Sequence, residues 1–312
     1  MTVQRDDPLR LRRVLCALDA ESTMRARLSV AGAFAQGFGA SVDALYVSEP
    51  APHLVGTHAR VRRLIAEHNA RESFQSAVVP YGESLRVDQY MTRGRRDDVI
   101  LAHSQAHQAD LIVLGSGGAE GADATSLVAS SATCAVLTVR GATPELSLRR
   151  ALLPIGTALA AEPALDWAIA LASRFGTSIT LASVPARRSG IWRAWSGWSN
   201  VASSPPDEHE LHALRERALT RLRDAGVQAS LHDGDVDAQG IASLVTDNEL
   251  DLVLIGLQAG SAESDVLARA IRARCDVPVL SARDSSLQAL LIPNSDATAQ
   301  ARSNGWGLGM TA

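Results

Sequence analysis

The feature that most constrains how this chain can fold is that the sequence repeats itself. Arg13-Val-Leu-Cys-Ala-Leu-Asp19 returns 137 positions later as Arg150-Ala-Leu-Leu-Pro-Ile-Gly156, and Gly39-Ala-Ser-Val-Asp-Ala-Leu-Tyr-Val47 returns at the same offset as Gly176-Thr-Ser-Ile-Thr-Leu-Ala-Ser-Val184. Later blocks drift by a few residues. Asp110-Leu-Ile-Val-Leu-Gly115 matches Asp251-Leu-Val-Leu-Ile-Gly256, and Ala135-Val-Leu-Thr-Val-Arg140 matches Pro278-Val-Leu-Ser-Ala-Arg283. Collinear blocks with small insertions between them mean a duplicated domain.

Within each copy, short apolar runs without strict alternation read as strands buried on both faces, and the segments between them carry helical spacing. Leu28, Ala31, Phe34, Ala35 and Phe38 recur at three- and four-residue steps and stop at Gly39; Leu165, Ala168, Ile169, Ala172 and Phe175 stop at Gly176. Each glycine reads as a helix C-terminal cap. Arginine-rich helices follow at about Thr57–Ala77 and Asp207–Ala225, and third strands near Leu85–Thr92 and Val227–His232. Further helices are expected at about Asp97–Gln108 and Val236–Asn248. Parallel strands joined by helices cross over right-handedly and give α/β domains of five-stranded, doubly wound, Rossmann-like sheets. Two such domains are expected, 11–141 and 148–284, packed as a pseudo-symmetric pair of sheets. Gly141–Glu145 is too short a joint to let them separate, and a tail follows from 285 to 312, in which Leu287–Pro293 reads as an apolar segment able to dock on the body and Asn294–Ala312 is polar and Gly-rich.

Composition excludes several chemistries. The 30 basic residues are all arginine, so a Walker loop, a pyridoxal Schiff base and a kinase strand lysine cannot be built in their usual form. A net charge of −4 gives no bulk case for nucleic acid. Cys16, Cys134 and Cys275 are widely spaced and odd in number, which supports neither a disulfide framework nor a zinc ribbon. They read as small buried hydrophobes. No apolar run reaches the ~20 residues of a membrane span, and Met1–Pro8 lacks the apolar core of a signal peptide. A cytoplasmic protein is expected.

In an open parallel sheet, ligands bind beyond the carboxyl ends of the strands, at the switch point. Asp19 ends the first strand of copy one, where it either contacts a ribose or base or caps the following helix. Gly115-Ser-Gly-Gly-Ala-Glu-Gly121 follows the fourth strand, either as a phosphate cradle or as a tight turn. Copy two has Gly156 in place of the aspartate and only two glycines in Gly256–Glu263, a poorer phosphate site. His103 and His107 lie four apart on one helix, a metal-chelating pitch, but no carboxylate stands at matching pitch on that helix, so they read as a solvated face; His209 and His212 read the same way. Arg60, Arg62, Arg63, Arg71, Arg93, Arg95 and Arg96, interrupted by acids, also read as solvated. Copy two carries an insert, Arg187 to Trp198, with three of the five tryptophans. It reads as a partner patch, a lid or packing against its own domain. No metal site, Ser-His-Asp order or paired carboxylates emerge, so no enzyme is proposed from the residues.

Val14–Asp19, Asp110–Ser116 and Cys134–Arg140, with Asp251–Gly256 and Pro278–Arg283, resemble the universal stress protein family over residues 11–284, in its tandem form. The resemblance implies a five-stranded parallel α/β sheet that dimerises through its last strands, and ATP binding in some members. Those members share an Asp after the first strand and the pattern Gly, two residues, Gly, nine residues, Gly, then Ser or Thr after the fourth. Asp19, Gly115 and Gly118 are kept. Val128 stands where the third glycine belongs, and the loop is shortened. The implied function is a non-enzymatic stress-response protein acting through a ligand or partner, with at most weak adenine-nucleotide binding (ATP or AMP) in copy one. Asp19 and Val47 would lie near ribose and base, and Gly115, Ser116, Gly118 and Gly121 near phosphate. The alternatives are a related ATP-hydrolysing enzyme and a regulatory module docking on a transporter or kinase. The fifth strands, Ala135–Arg140 and Pro278–Arg283, are the expected contact between copies. A homodimer would then use another surface, for which Ile191–Trp198 is the candidate.

Overall fold

The apolar runs form strands because β-branched and large aliphatic side chains fit a pleated surface covered on both sides. The computed structural model describes residues 9–18, 21–49, 57–81, 85–115, 122–141, 146–185 and 208–283. The first half runs β1 (Arg13–Leu18), α1 (Glu21–Phe38), β2 (Ser41–Ser48), α2 (Thr57–Val78), β3 (Val87–Arg93), α3 (Arg96–Ala106), β4 (Leu111–Gly115), α4 (Ala122–Ser131) and β5 (Ala135–Val139). The second runs β6 (Arg150–Ile155), α5 (Ala161–Phe175), β7 (Ser178–Ser183), α6 (Glu208–Asp224), β8 (Ala229–Asp235), α7 (Ala238–Asp247), β9 (Leu252–Leu257), α8 (Ala262–Arg274) and β10 (Val279–Arg283). The third strands of the two halves lie about two residues later than their apolar pattern predicts, because β3 and β8 are half-exposed outer strands with a weak hydrophobic signal. Gly39 and Gly176 end α1 and α5 with φ of 69° and 70°, the left-handed cap expected of them.

Strand order is β3-β2-β1-β4-β5-β10-β9-β6-β7-β8. Within each half every pairing is parallel; β5 and β10 meet antiparallel, with Leu137 opposite Leu280 and Val136 opposite Ser281. The fifth strands are therefore the contact, as expected, but the expectation of two separate sheets is corrected: the chain forms one ten-stranded sheet. The physical reason is that two bare apolar edges satisfy their backbone groups by pairing with each other.

Aspartates 110 and 251, which open the repeated Asp-Leu blocks, hold the inner strands together. Asp110 Oδ2 accepts the backbone N–H of Arg12 and Arg13 at 2.7 and 3.0 Å; Asp251 Oδ2 accepts those of Arg149 and Arg150 at 3.0 and 2.9 Å. On one face, α1, α2, α5 and α6 cover a core continuous across both halves. At its centre Phe34 and Phe38 of α1 pack edge-to-face on Trp167 and Phe175 of α5, with centroids 6.0–6.3 Å apart. The other face has two separate cores, one beneath α3 and α4 and one beneath α7 and α8. Equivalent arginines cross the join there: Arg140 reaches the carbonyl of Ala273, and Arg283 that of Ala129. Among the described residues no helix is long and apolar enough to cross a membrane.

Candidate functional site

Two places in the first half gather polar side chains, one at each end of its strands. At the carboxyl ends, Gly115 closes β4 and the guanidinium of Arg27, from α1, lies directly over it; a Cβ at position 115 would overlap that group. Arg27 is only 5% exposed. Arg96, the first residue of α3, lines the same pocket with Ala17, Leu18, Ile100 and Thr125, whose hydroxyl donates to the carbonyl of Gly115 at 2.9 Å. Arg96 is therefore half-buried in this pocket and not part of a solvated arginine face, which corrects the sequence reading. The free space is about 10 Å³, room for one water. Val47, near the end of β2, is buried on the α3/α4 side of the sheet. Asp19, Ser116, Gly118 and Gly121 lie outside the residues whose conformation and burial are described, as do the insert at 187–198 and the tail.

The corresponding crevice of the second half is larger. A cavity of about 290 Å³ is lined by Gly156 and Val184, the counterparts of Asp19 and Val47, and by Leu159, Asp237, Val266 and Arg274 among others. Asp237 is engaged there as the cap of α7, accepting the backbone N–H of Gln239 and Gly240 at 3.1 and 2.9 Å. The half expected to be the poorer phosphate site has the more capacious opening.

At the opposite, amino-terminal end of the first-half strands, the sequence reading is corrected. His103 and His107 do not form a solvated face. Asp43, fully buried in β2, projects to the same side of the sheet as α3 and meets both. His107 Nδ1 lies 3.1 Å and His103 Nε2 3.4 Å from Asp43 Oδ2, while Arg13 Nη1 donates to Oδ1 at 3.1 Å and Oδ2 at 3.2 Å. The two imidazoles stack with centroids 4.0 Å apart and planes 13° from parallel, and the Tyr90 ring packs on both, its centroid 4.6 and 4.9 Å from theirs. Burial pushes the Asp43 carboxyl up, but hydrogen bonds from His103 and Arg13 and the charges of Arg13 and His107 outweigh it, and the net shift is downward. His107 is pushed down by burial and by His103, against the pull of Asp43. The helix alone could not reveal this cluster, because its carboxylate comes from a strand 60 residues earlier. The available signal was Asp43 itself, a charge inside the apolar run Val42–Val47, where burial demands partners. His209 and His212 are exposed, as expected.

The universal stress protein family matches this chain twice, over residues 10–140 and 147–283. No curated protein matches it. Among solved structures, it is similar to a universal stress protein from Archaeoglobus fulgidus, with a TM-score of 0.61 and 11% identity over 86% of this chain and 96% of that one. It is also similar to a Pseudomonas aeruginosa protein described as a universal stress protein, with a TM-score of 0.59 and 16% identity over 90% and 96%. At such identities the structural likeness speaks for the fold alone. The doubled family match, over the two halves whose fifth strands join one sheet, is what shows membership: the chain belongs to the universal stress protein family and carries two copies of its domain in tandem.

Proposed function

We propose that the chain acts by binding and not by turnover, as a stress-response protein whose ligand is an adenine nucleotide, ATP or AMP, held weakly in the first half. The observation that supports this reading is that the Arg27 guanidinium lies over Gly115 at the carboxyl end of β4 and that Arg96 lines the same pocket. They supply, in a chain without lysine, positive charge where a phosphate would enter. Val47 would meet the base, Asp19 the ribose, and Gly115, Ser116, Gly118 and Gly121 the phosphates. Arg27 fills most of the space it would offer, so a nucleotide has to displace it, and that cost keeps affinity low. A second reading rests on the 290 Å³ cavity: its largely apolar lining suits a small, mostly apolar molecule in the second half.

Calorimetric titration with ATP, AMP and adenosine, with and without magnesium, tests both. The expected result is weak binding, little better for ATP than for adenosine, lost in Asp19→Ala and unchanged in Val184→Phe, which fills the second cavity. Loss of binding in Val184→Phe alone would move the ligand to the second half. Tight magnesium-dependent ATP binding would overturn the weak affinity proposed here, and ATP turnover that disappears in Asp19→Ala would overturn the binding role in favour of an enzyme.

A further inference from the structure

We propose that Asp43, His103 and His107 form a binding site for a divalent transition-metal cation of the zinc class. Two ring nitrogens and one carboxylate oxygen are a donor set for Zn²⁺, Co²⁺, Ni²⁺ or Cu²⁺, in contrast to the all-oxygen shells preferred by Mg²⁺ and Ca²⁺. The three donor atoms all lie within 4.8 Å of one another. The separations from Asp43 Oδ2, 3.1 Å to His107 Nδ1 and 3.4 Å to His103 Nε2, bracket the edge of a tetrahedron with metal–ligand bonds of 2.0–2.1 Å, about 3.3 Å. A cation can therefore sit beside Oδ2 once the two rings turn toward it.

The site is built on rigid elements. Both histidines sit on the last turn of α3 and its cap, four residues apart, so their rings leave one face of the helix. The Tyr90 ring packs against both and limits their motion, while the stacked rings, 13° from parallel, have to turn toward each other for both lone pairs to meet one cation. Asp43 lies in register between Leu15 of β1 and Asp88 of β3, in the middle of a three-strand pairing. Arg13 Nη1 donates to both carboxylate oxygens, at 3.1 Å to Oδ1 and 3.2 Å to Oδ2, so Oδ2 faces the guanidinium as well as the two imidazoles. Such outer partners orient ligands in metal sites generally. The guanidinium is also a nearby positive charge, so affinity is lower than that of a three-ligand site without one. Three protein donors leave a fourth position open, and the part-exposed edge of His107, 29% accessible, gives a path to it.

The second half provides an internal contrast. By the repeat, Thr180 stands for Asp43, Leu244 for His103 and Asn248 for His107, and Arg150 turns to Glu249 at 3.0 Å. None of the three donors survives there. The cluster also lies at the opposite end of the strands from the nucleotide crevice, so it stands or falls independently of that reading.

The test is titration of the full, chelator-stripped chain with Zn²⁺, followed by calorimetry and thermal melting, and with Co²⁺, followed by its visible absorption. One equivalent of Zn²⁺ is expected to bind and raise the melting temperature, and Co²⁺ to give the intense band of a tetrahedral N/O site. His107→Ala, a part-exposed position where folding is retained, should weaken binding by more than about 10-fold, since even outer-partner changes in metal sites cost 10–100-fold. His103→Ala should do the same, and His209→Ala with His212→Ala should leave affinity unchanged. Should His107→Ala fail to give a native circular dichroism spectrum, His107→Gln serves in its place. No saturable binding, or binding that persists unchanged in the His107 variant, would overturn the proposal.

Discussion

At the end of β4 the first half lays the guanidinium of Arg27 over Gly115, and at the end of β9 the second half lays the carbonyl of Ala160 over Gly256. The two glycines occupy equivalent places in the repeat, yet one is roofed by the tip of a side chain and the other by main chain. In the second half Ala160 N–H also donates to the Gly256 carbonyl at 3.1 Å, and Leu159 bridges to Leu257, so the turn after β6 is stitched across the strand end. The difference teaches that a shared glycine can keep a place open to a movable group in one copy and fix a closed turn in the other. The second pair of positions, Arg13 and Arg150, diverges in the same sense: Arg13 faces a buried carboxylate, while Arg150 faces Glu249, whose side chain is 81% exposed.

Replacing the glycines gives the largest expected contrast. Gly256→Ala forces the Ala160 backbone away and should cost about 3 kcal/mol or more, whereas Gly115→Ala has only to displace a side-chain end and should cost about 1 kcal/mol. Denaturant unfolding measures both, and equal costs would break the comparison. The arginines come next. Arg13→Ala removes one partner of the buried Asp43; because Arg13 is itself a third exposed and two imidazoles remain, the loss should be about 2 kcal/mol, below the range for fully buried pairs. Arg150→Ala should stay within about 0.5 kcal/mol, as surface pairs do. The smallest effect is expected of Cys134 and Cys275, which lie before the fifth strands at different places in the repeat, Val277 being the counterpart of Cys134 and Ala132 that of Cys275. Burial, with Asp110 adding to it, pushes the Cys134 thiol up to about 12, and burial, with Asp276, pushes Cys275 to about 11. The thiolate is the reactive form, so near pH 8 both should resist alkylation in the native chain, and the rate should climb about tenfold per pH unit with no plateau below about pH 11. A thiol that reacts rapidly at pH 8 would show that its surroundings open in the native chain.

The fold was legible because its signals are local and doubled: the helix periodicities ending at Gly39 and Gly176, and the strand blocks recurring at nearly one spacing. That the fifth strands meet was legible as well, since both are bare apolar edges. Their fusion of the halves into one sheet was less so, because sequence alone does not distinguish edge pairing from face packing. The strand-end candidates were readable by position, but no helical period announces that Arg27, on α1, ends over Gly115. His103 and His107 were read as solvated because their carboxylate partner belongs to another element; only Asp43, a charge inside an apolar strand, carried the long-range information. The Asp of each Asp-Leu block, seen in the sequence as a family likeness, turns out to clamp the backbone of the neighbouring strand.

Since β5 and β10 belong to one polypeptide, their union is a unimolecular equilibrium. Mass action cannot dissolve it: a thousandfold dilution leaves the ten-stranded sheet as complete as before, whereas two chains joined by the same strands would drift apart. Unfolding of the joined sheet therefore has a midpoint set by temperature and solvent, with no term in protein concentration from this seam, and each half is always presented with its partner at a fixed, intramolecular concentration.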